Sequence, residues 1–202
     1  MQNELISLNS EFATNRLVLL HGWGADVDDL MPVGKLLTES LNQSFEIVSL
    51  AANEDHPSGS GRQWYSLYPH DWEAVPKAVL NLERRVKNLA TNEIPLAKTL
   101  LLGFSQGGAM ALEMARNLKL KGVFALSSYS HPYWEPNKDM PPVFLSHGNM
   151  DSVVPRSESE KTFALLKNYG IRSELYLFDG DHEITNDLIN HFQGIIKKEF
   201  SY

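Results

Sequence analysis

Gly103-Phe104-Ser105-Gln106-Gly107 sets a serine between two glycines, directly after the apolar run Leu100 to Leu102 and directly before the helix formers Ala109 to Met114. A serine hydroxyl is a weak nucleophile until a base takes its proton, and the charge that builds on an attacked carbonyl oxygen needs donors to hold it. A sharp strand-to-helix turn serves both needs. It lifts the hydroxyl clear of the sheet and aims the free N–H groups at the start of the following helix toward the place where an oxyanion forms. Glycines two residues before and two after the serine leave room for such a turn. The competing reading is a glycine-rich turn with an incidental serine.

In chains built this way the acid and then the base follow the serine, each on a loop after a later strand. Of the seven histidines, His21, His56 and His70 come too early, and His131 lies in a Pro-rich loop. His147 has only Asp139 between it and Ser105, and His191 sits inside a helical pattern. His182 follows the apolar run ending at Phe178 through Asp179-Gly180-Asp181, so it is the expected base. Asp151 follows the run before that one and is the expected acid, holding the imidazole in its working tautomer. Its alternative is a turn or helix-capping carboxylate. Asp179 and Asp181 are read as turn residues.

The loop His21-Gly22-Trp23-Gly24-Ala25 also follows a strand-like run. The Trp23 N–H is expected to be one oxyanion donor and the Gln106 N–H the second. For the His21 side chain a structural hydrogen bond is favoured. Trp64, Tyr65, Tyr68, Trp72, Tyr129, Tyr133 and Trp134 gather in or beside two long irregular stretches, Ala51 to Asp71 and Ser128 to Pro142, where aromatics could line a substrate groove. Of these, Trp64, Tyr65, Tyr129 and Trp134 are read as lining it. Clamping the loops onto the sheet is the alternative for each. Phosphate loop, dinucleotide fingerprint and H-E-x-x-H are all missing, so no cofactor and no metal are expected.

These positions require a scaffold that brings distant loops to one edge. Short runs rich in Val, Leu, Ile and Phe recur at Arg16–Leu20, Phe45–Leu50, Lys98–Leu102, Gly122–Leu126, Val143–Ser146 and Glu174–Phe178, each read as a buried strand. Helical stripes lie between them, such as Val75, Val79, Leu82, Val86 and Leu89. The alternation implies a mainly parallel sheet flanked by helices, with an antiparallel edge strand at Glu4–Leu8. Residues 1–202 are read as a single domain. The net charge of −7, from 18 Lys plus Arg against 25 Asp plus Glu, argues against a nucleic-acid surface. Cysteine is absent, which removes thiolate chemistry and disulfides. The Leu17–Leu20 run is far shorter than the ~20 residues of a membrane span, so no stable membrane insertion is expected and a cytoplasmic location is.

The blocks Leu20–Ala25, Arg62-Gln63-Trp64-Tyr65, Leu102–Ala109, His147–Pro155 and Gly180–Glu183 resemble the phospholipase/carboxylesterase branch of the α/β-hydrolases, which includes acyl-protein thioesterases. The resemblance implies a single-domain α/β-hydrolase, with Ser105, Asp151 and His182 as triad and Trp23 and Gln106 as oxyanion donors. The reading is a serine hydrolase of carboxylic esters or thioesters, acting on a small-molecule ester as monomer or homodimer. The 14-residue connection from Ser128 to Pro141 is too short for a cap domain, so an open site and short or medium acyl chains are expected. Alternatives are a lysophospholipase or acyl-protein thioesterase, or a peptidase or lactonase on the same scaffold. A non-catalytic binding protein is opposed by the intact triad pattern. Two segments depart from the branch: Ser66 stands where Asp is usual, and Ser127-Ser128-Tyr129-Ser130 replaces S-G-x-[LI]. Both departures bear on substrate preference rather than on the reaction.

Overall fold

Along each central strand, alternate side chains enter two different hydrophobic clusters, one on either face of a sheet. Leu17, Leu19, Ile47, Leu100, Leu102, Phe124 and Phe144 pack on one face, while Val18, Val48, Leu101, Val123 and Val143 pack on the other. A strand covered on both sides must be apolar at every position, which is why these segments read as unbroken apolar runs. A computed structural model describes residues 5–8, 12–39 and 41–200.

The strands are β1 (Leu5–Leu8), β2 (Asn15–Leu20), β3 (Phe45–Leu50), β4 (Glu54–Asp55), β5 (Arg62–Gln63), β6 (Thr99–Phe104), β7 (Gly122–Leu126), β8 (Val143–Gly148) and β9 (Ser173–Phe178). The helices are α1 (Met31–Glu39), α2 (Val75–Asn88), α3 (Gln106–Asn117), α4 (Ser157–Asn168) and α5 (Asn186–Phe200). Seven strands form one sheet in the order β1-β3-β2-β6-β7-β8-β9. All pairings are parallel except β1 with β3, whose register sets Leu5 opposite Leu50. Helices α2, α3 and α4 cover one face and α1 and α5 the other. The expected edge strand is therefore present over Leu5–Leu8, with Glu4 outside the described residues.

Strand β3 lies on one side of β2 and β6 on the other, so the chain order reverses there. Such a switch opens a crevice at the carboxyl ends of the two strands. The loop starting at His21 leaves β2 at that crevice, and Ser105 leaves β6 beside it.

Three local features differ from the sequence reading. Lys98 closes a 3₁₀ turn over Leu96–Lys98 rather than opening the strand, which runs on to Phe104. Residues 51–71 hold a two-stranded hairpin, β4 with β5. It carries no apolar alternation and is fastened by polar groups: Arg62 pairs with Asp55 at 2.9 Å and donates to the Asn53 carbonyl at 2.8 Å. Finally, α3 is buried around its whole circumference from Gln106 to Ala115, not on one stripe, because irregular segments cover the side away from the sheet. Between β7 and β8, residues 127–142 contain no helix.

Candidate active site

Ser105 has φ 53°, a conformation that a non-glycine residue adopts only when its surroundings hold it there. Its N–H donates to the Leu126 carbonyl at 2.8 Å, and its carbonyl accepts from the Gly108 N–H at 2.9 Å. The turn is thus fastened to β7 on one side and to α3 on the other. A Cβ at Gly107 would lie 2.1 Å from the Leu20 carbonyl oxygen, and one at Gly103 would lie 2.1 Å from the Gly107 carbonyl oxygen. Both positions must lack a side chain for the backbones to approach this closely.

Asp151 stands on the loop after β8 and His182 on the loop after β9, at the same carboxyl edge of the sheet. The His182 Nδ1–H donates to Asp151 Oδ2 at 2.7 Å. Asp151 Oδ1 accepts from the N–H groups of Val153 and Val154 at 2.9 and 2.8 Å, and the carboxylate has no exposed surface. The His147 Nε2–H donates to the Val154 carbonyl at 2.8 Å and lies 3.2 Å from Asp151 Oδ2. His147 therefore supports the acid instead of competing as the base, a position not expected from the sequence. Its signal was the spacing, four residues before Asp151 at the end of a strand.

Asp181 joins the two loops. Its carboxylate accepts from the Ser152 N–H at 2.7 Å, from the Ser152 hydroxyl at 3.0 Å and from the His182 N–H at 2.8 Å. Those bonds, led by the one from the Ser152 N–H, hold its carboxyl below the usual carboxylate range. Asp179 accepts from the Asn149 side chain at 2.9 Å. Both aspartates make turn contacts, as their sequence positions suggest.

Ser105 and His182 line one cavity of about 710 Å³ together with Gly22, Trp23, Tyr129 and Val154. Among the described residues no hydrogen bond joins the Ser105 hydroxyl to His182, whose ring packs 4.7 Å from that of Phe104. Catalytic hydrogen bonds are often long before substrate binds. Gln106 begins α3, and Trp23 lies on the loop after β2. Neither backbone N–H has a hydrogen-bond partner among the described residues. The Gln106 side chain instead accepts from the Trp64 N–H at 3.0 Å and donates to the Tyr65 carbonyl at 2.8 Å.

The groove reading requires a correction. Of Trp64, Tyr65, Tyr129 and Trp134, Tyr129 alone lines the cavity. Trp64 and Tyr65 are fully buried and Trp134 nearly so, all three inside the core cluster beneath the segments. The Trp64 Nε1–H donates to the His21 carbonyl at 3.0 Å, so this ring pins the hairpin region to the end of β2. The aromatic lining comes instead from Trp23, Tyr68, His70 and Trp72 as well as Tyr129. His21 is buried, donates through Nδ1 to the Gly22 carbonyl at 2.7 Å and accepts at Nε2 from the Ala52 N–H at 3.0 Å. His191 lies elsewhere, stacked on Tyr176 at 4.0 Å and bonded to Glu174 at 2.8 Å.

Among the described residues no group of His, Asp and Glu is arranged to hold a metal ion, and no helix is long and apolar enough to cross a membrane. Residues 1–199 match the phospholipase/carboxylesterase family. Acyl-protein thioesterase 1 of Eremothecium gossypii is 29% identical over 147 residues, which cover 67% of this chain and 62% of that protein. The Neurospora crassa protein of the same name is 31% identical over 139 residues, covering 58% of this chain and 56% of its own length. The chain therefore spans about three fifths of the length of these curated relatives. The crystal structure of esterase PE8 superposes with a TM-score of 0.88 at 28% identity, over 99% of this chain and 100% of that one.

Proposed function

The chain belongs to the phospholipase/carboxylesterase family, and we propose that it is a carboxylesterase-type hydrolase working through a Ser105 acyl-enzyme. The observation that carries this reading is the 2.7 Å bond from His182 to the buried Asp151 on the cavity that Ser105 also lines. In the proposed sequence His182 Nε2 takes the Ser105 proton as Oγ bonds to the ester carbonyl carbon. The N–H groups of Trp23 and Gln106 hold the oxyanion. Collapse expels the alcohol, which takes the proton from His182, and leaves the acyl group on Ser105. Water then gives its proton to His182, attacks the same carbon and releases the acid with Ser105 restored. Asp151 stays ionised throughout, stabilising the imidazolium.

Short or medium acyl esters are the proposed substrates, since no helix in residues 127–142 roofs the cavity to bury a long chain. Thioesters are a second substrate class, favoured by the relatives named acyl-protein thioesterases. An organophosphonate probe tests the mechanism: labelling of the wild-type protein at Ser105, lost in a folded Ser105→Ala variant, is expected. Labelling that persists in that variant overturns it. A panel of esters, thioesters and amides on the wild-type protein then fixes the class.

A further inference from the structure

Four side chains that the triad does not use form a chain of three hydrogen bonds ending at the cavity. Glu113 Oε1 lies 2.9 Å from His131 Nδ1, His131 Nε2 lies 2.8 Å from the Tyr65 hydroxyl, and that hydroxyl lies 2.7 Å from the hydroxyl of Tyr129. Glu113 and His131 are buried and Tyr65 fully so, while Tyr129 is half-buried and lines the cavity beside Ser105. Burial pushes the Tyr65 hydroxyl well above the usual tyrosine value and that of Tyr129 up to about 12, so each carries one proton.

The direction of this chain follows from what each group is able to donate. A carboxylate only accepts, so the bond at Glu113 takes the proton of His131 Nδ1. For the neutral tautomer that donates through Nδ1, Nε2 is an acceptor and takes the Tyr65 proton. The Tyr65 oxygen in turn accepts the Tyr129 proton. Tyr129 has now used its single O–H inside the protein, and its oxygen has no other hydrogen-bond partner among the described residues. What it offers to the cavity is therefore a lone pair. The hydroxyls of Tyr68 and Ser130 on the same cavity have no such commitment and turn either way.

Resting on the esterase reading above, we propose that Tyr129 is a specificity-determining acceptor, selecting esters whose acyl or alcohol part carries an O–H or N–H donor over isosteres that only accept. Tyr65, His131 and Glu113 act as positioning residues that fix its polarity. Tyr129 lies in Ser127–Ser130, one of the two segments where this chain departs from the pattern it resembles, and Tyr65 stands directly before the other, Ser66.

The test compares kcat/KM for hydroxyethyl against methoxyethyl butanoate and for ethyl hydroxybutanoate against ethyl methoxybutanoate. Wild-type protein is expected to favour the hydroxyl member of at least one pair by about fivefold, the worth of one neutral hydrogen bond. Tyr129→Phe should bring that ratio near one. Tyr65→Phe, which removes the acceptor of the Tyr129 proton and frees it to donate, should move the ratio toward the methoxy member, a shift that a structural role alone would not produce. Equal rates on both members of both pairs in wild-type protein overturn the proposal while leaving the esterase reading intact. A ratio unchanged in Tyr129→Phe does the same, and failure to hydrolyse any of the four esters overturns both.

Discussion

On one wall of the cavity, the loops after β8 and β9 hold Asp151 and His182 through short polar bonds: two backbone N–H groups to one carboxylate oxygen, an imidazole to the other, and Asp181 linking loop to loop. On the facing wall, the segments that supply Trp72 and Tyr129 are held by rings sunk in the core, with Trp64, Tyr65 and Trp134 among the helices α2 and α3. The first wall keeps its shape by a few bonds local to two loops. The second keeps it by burying apolar area, at roughly 25 cal/mol per Å². A change of one atom should therefore damage the first chemically without unfolding it, whereas truncating one of the sunken rings that hold the second should destabilise the fold before it alters the chemistry.

The largest effect is expected at the triad, Ser105 together with the acid and base that the first wall holds. Ser105→Ala and His182→Gln should each lower kcat by about 10⁴-fold or more while the unfolding midpoint stays near that of the wild type. His191→Gln, stacked on Tyr176 away from the cavity, should keep most of the activity. Steady-state kinetics with thermal unfolding on the same preparations decide the point, and a full loss in His191→Gln would reassign the base. Asp151→Asn should follow at about 10³- to 10⁴-fold, since an amide holds the imidazole less well and does not balance its charge. Retention of activity in this variant would make Asp151 a turn residue.

The aromatic wall is broken differently. Trp64 is fully buried and its indole N–H is bonded to the His21 carbonyl, so Trp64→Ala should cost about 3 to 5 kcal/mol of stability. Trp72, 38% exposed at the cavity, should cost far less on the same change and should affect KM instead. Denaturant unfolding of the two variants checks this, and equal costs would mean that the two rings carry the same structural load.

The contrast between the walls also explains what was legible in the sequence. The alternation of strands and helices, and the positions after β6, β8 and β9, could be read because strand periodicity and the order of loops along a parallel sheet are local facts. Whether a tryptophan on an irregular segment faces core or cavity depends on which helix lies beneath it, and no short-range pattern records that. Trp64 and Trp72, eight residues apart in the same stretch, look alike in the sequence and end on opposite sides of the wall. The burial of α3 on all sides was hidden for the same reason. Its residues Gln106 and Glu113 are polar, yet they are buried and bond to Tyr65 and His131 of the covering segments.

The smallest effect concerns His21, which couples the aromatic wall to pH. Burial, opposed by the Gly22 carbonyl and Asp26 and helped by Arg62 and Arg85, lowers its pKa below the ordinary histidine value. Both ring nitrogens are committed, Nδ1–H to the Gly22 carbonyl and Nε2 as acceptor for the Ala52 N–H. A second proton would turn Nε2 into a donor facing another donor, loosening the start of the segment that carries the hairpin and Trp64. Because the folded value lies below the unfolded one, the unfolded chain binds more protons between the two. Stability is therefore complete above about pH 6.5, the unfolded histidine range, and falls as the pH drops from there toward the folded value. Thermal unfolding from about pH 7 down to about pH 5 should show the midpoint falling. His21→Gln, whose amide also accepts from Ala52 but takes up no proton, should show a shallower fall. Equal slopes in the two proteins would place the acid sensitivity outside His21 and leave the aromatic wall indifferent to pH.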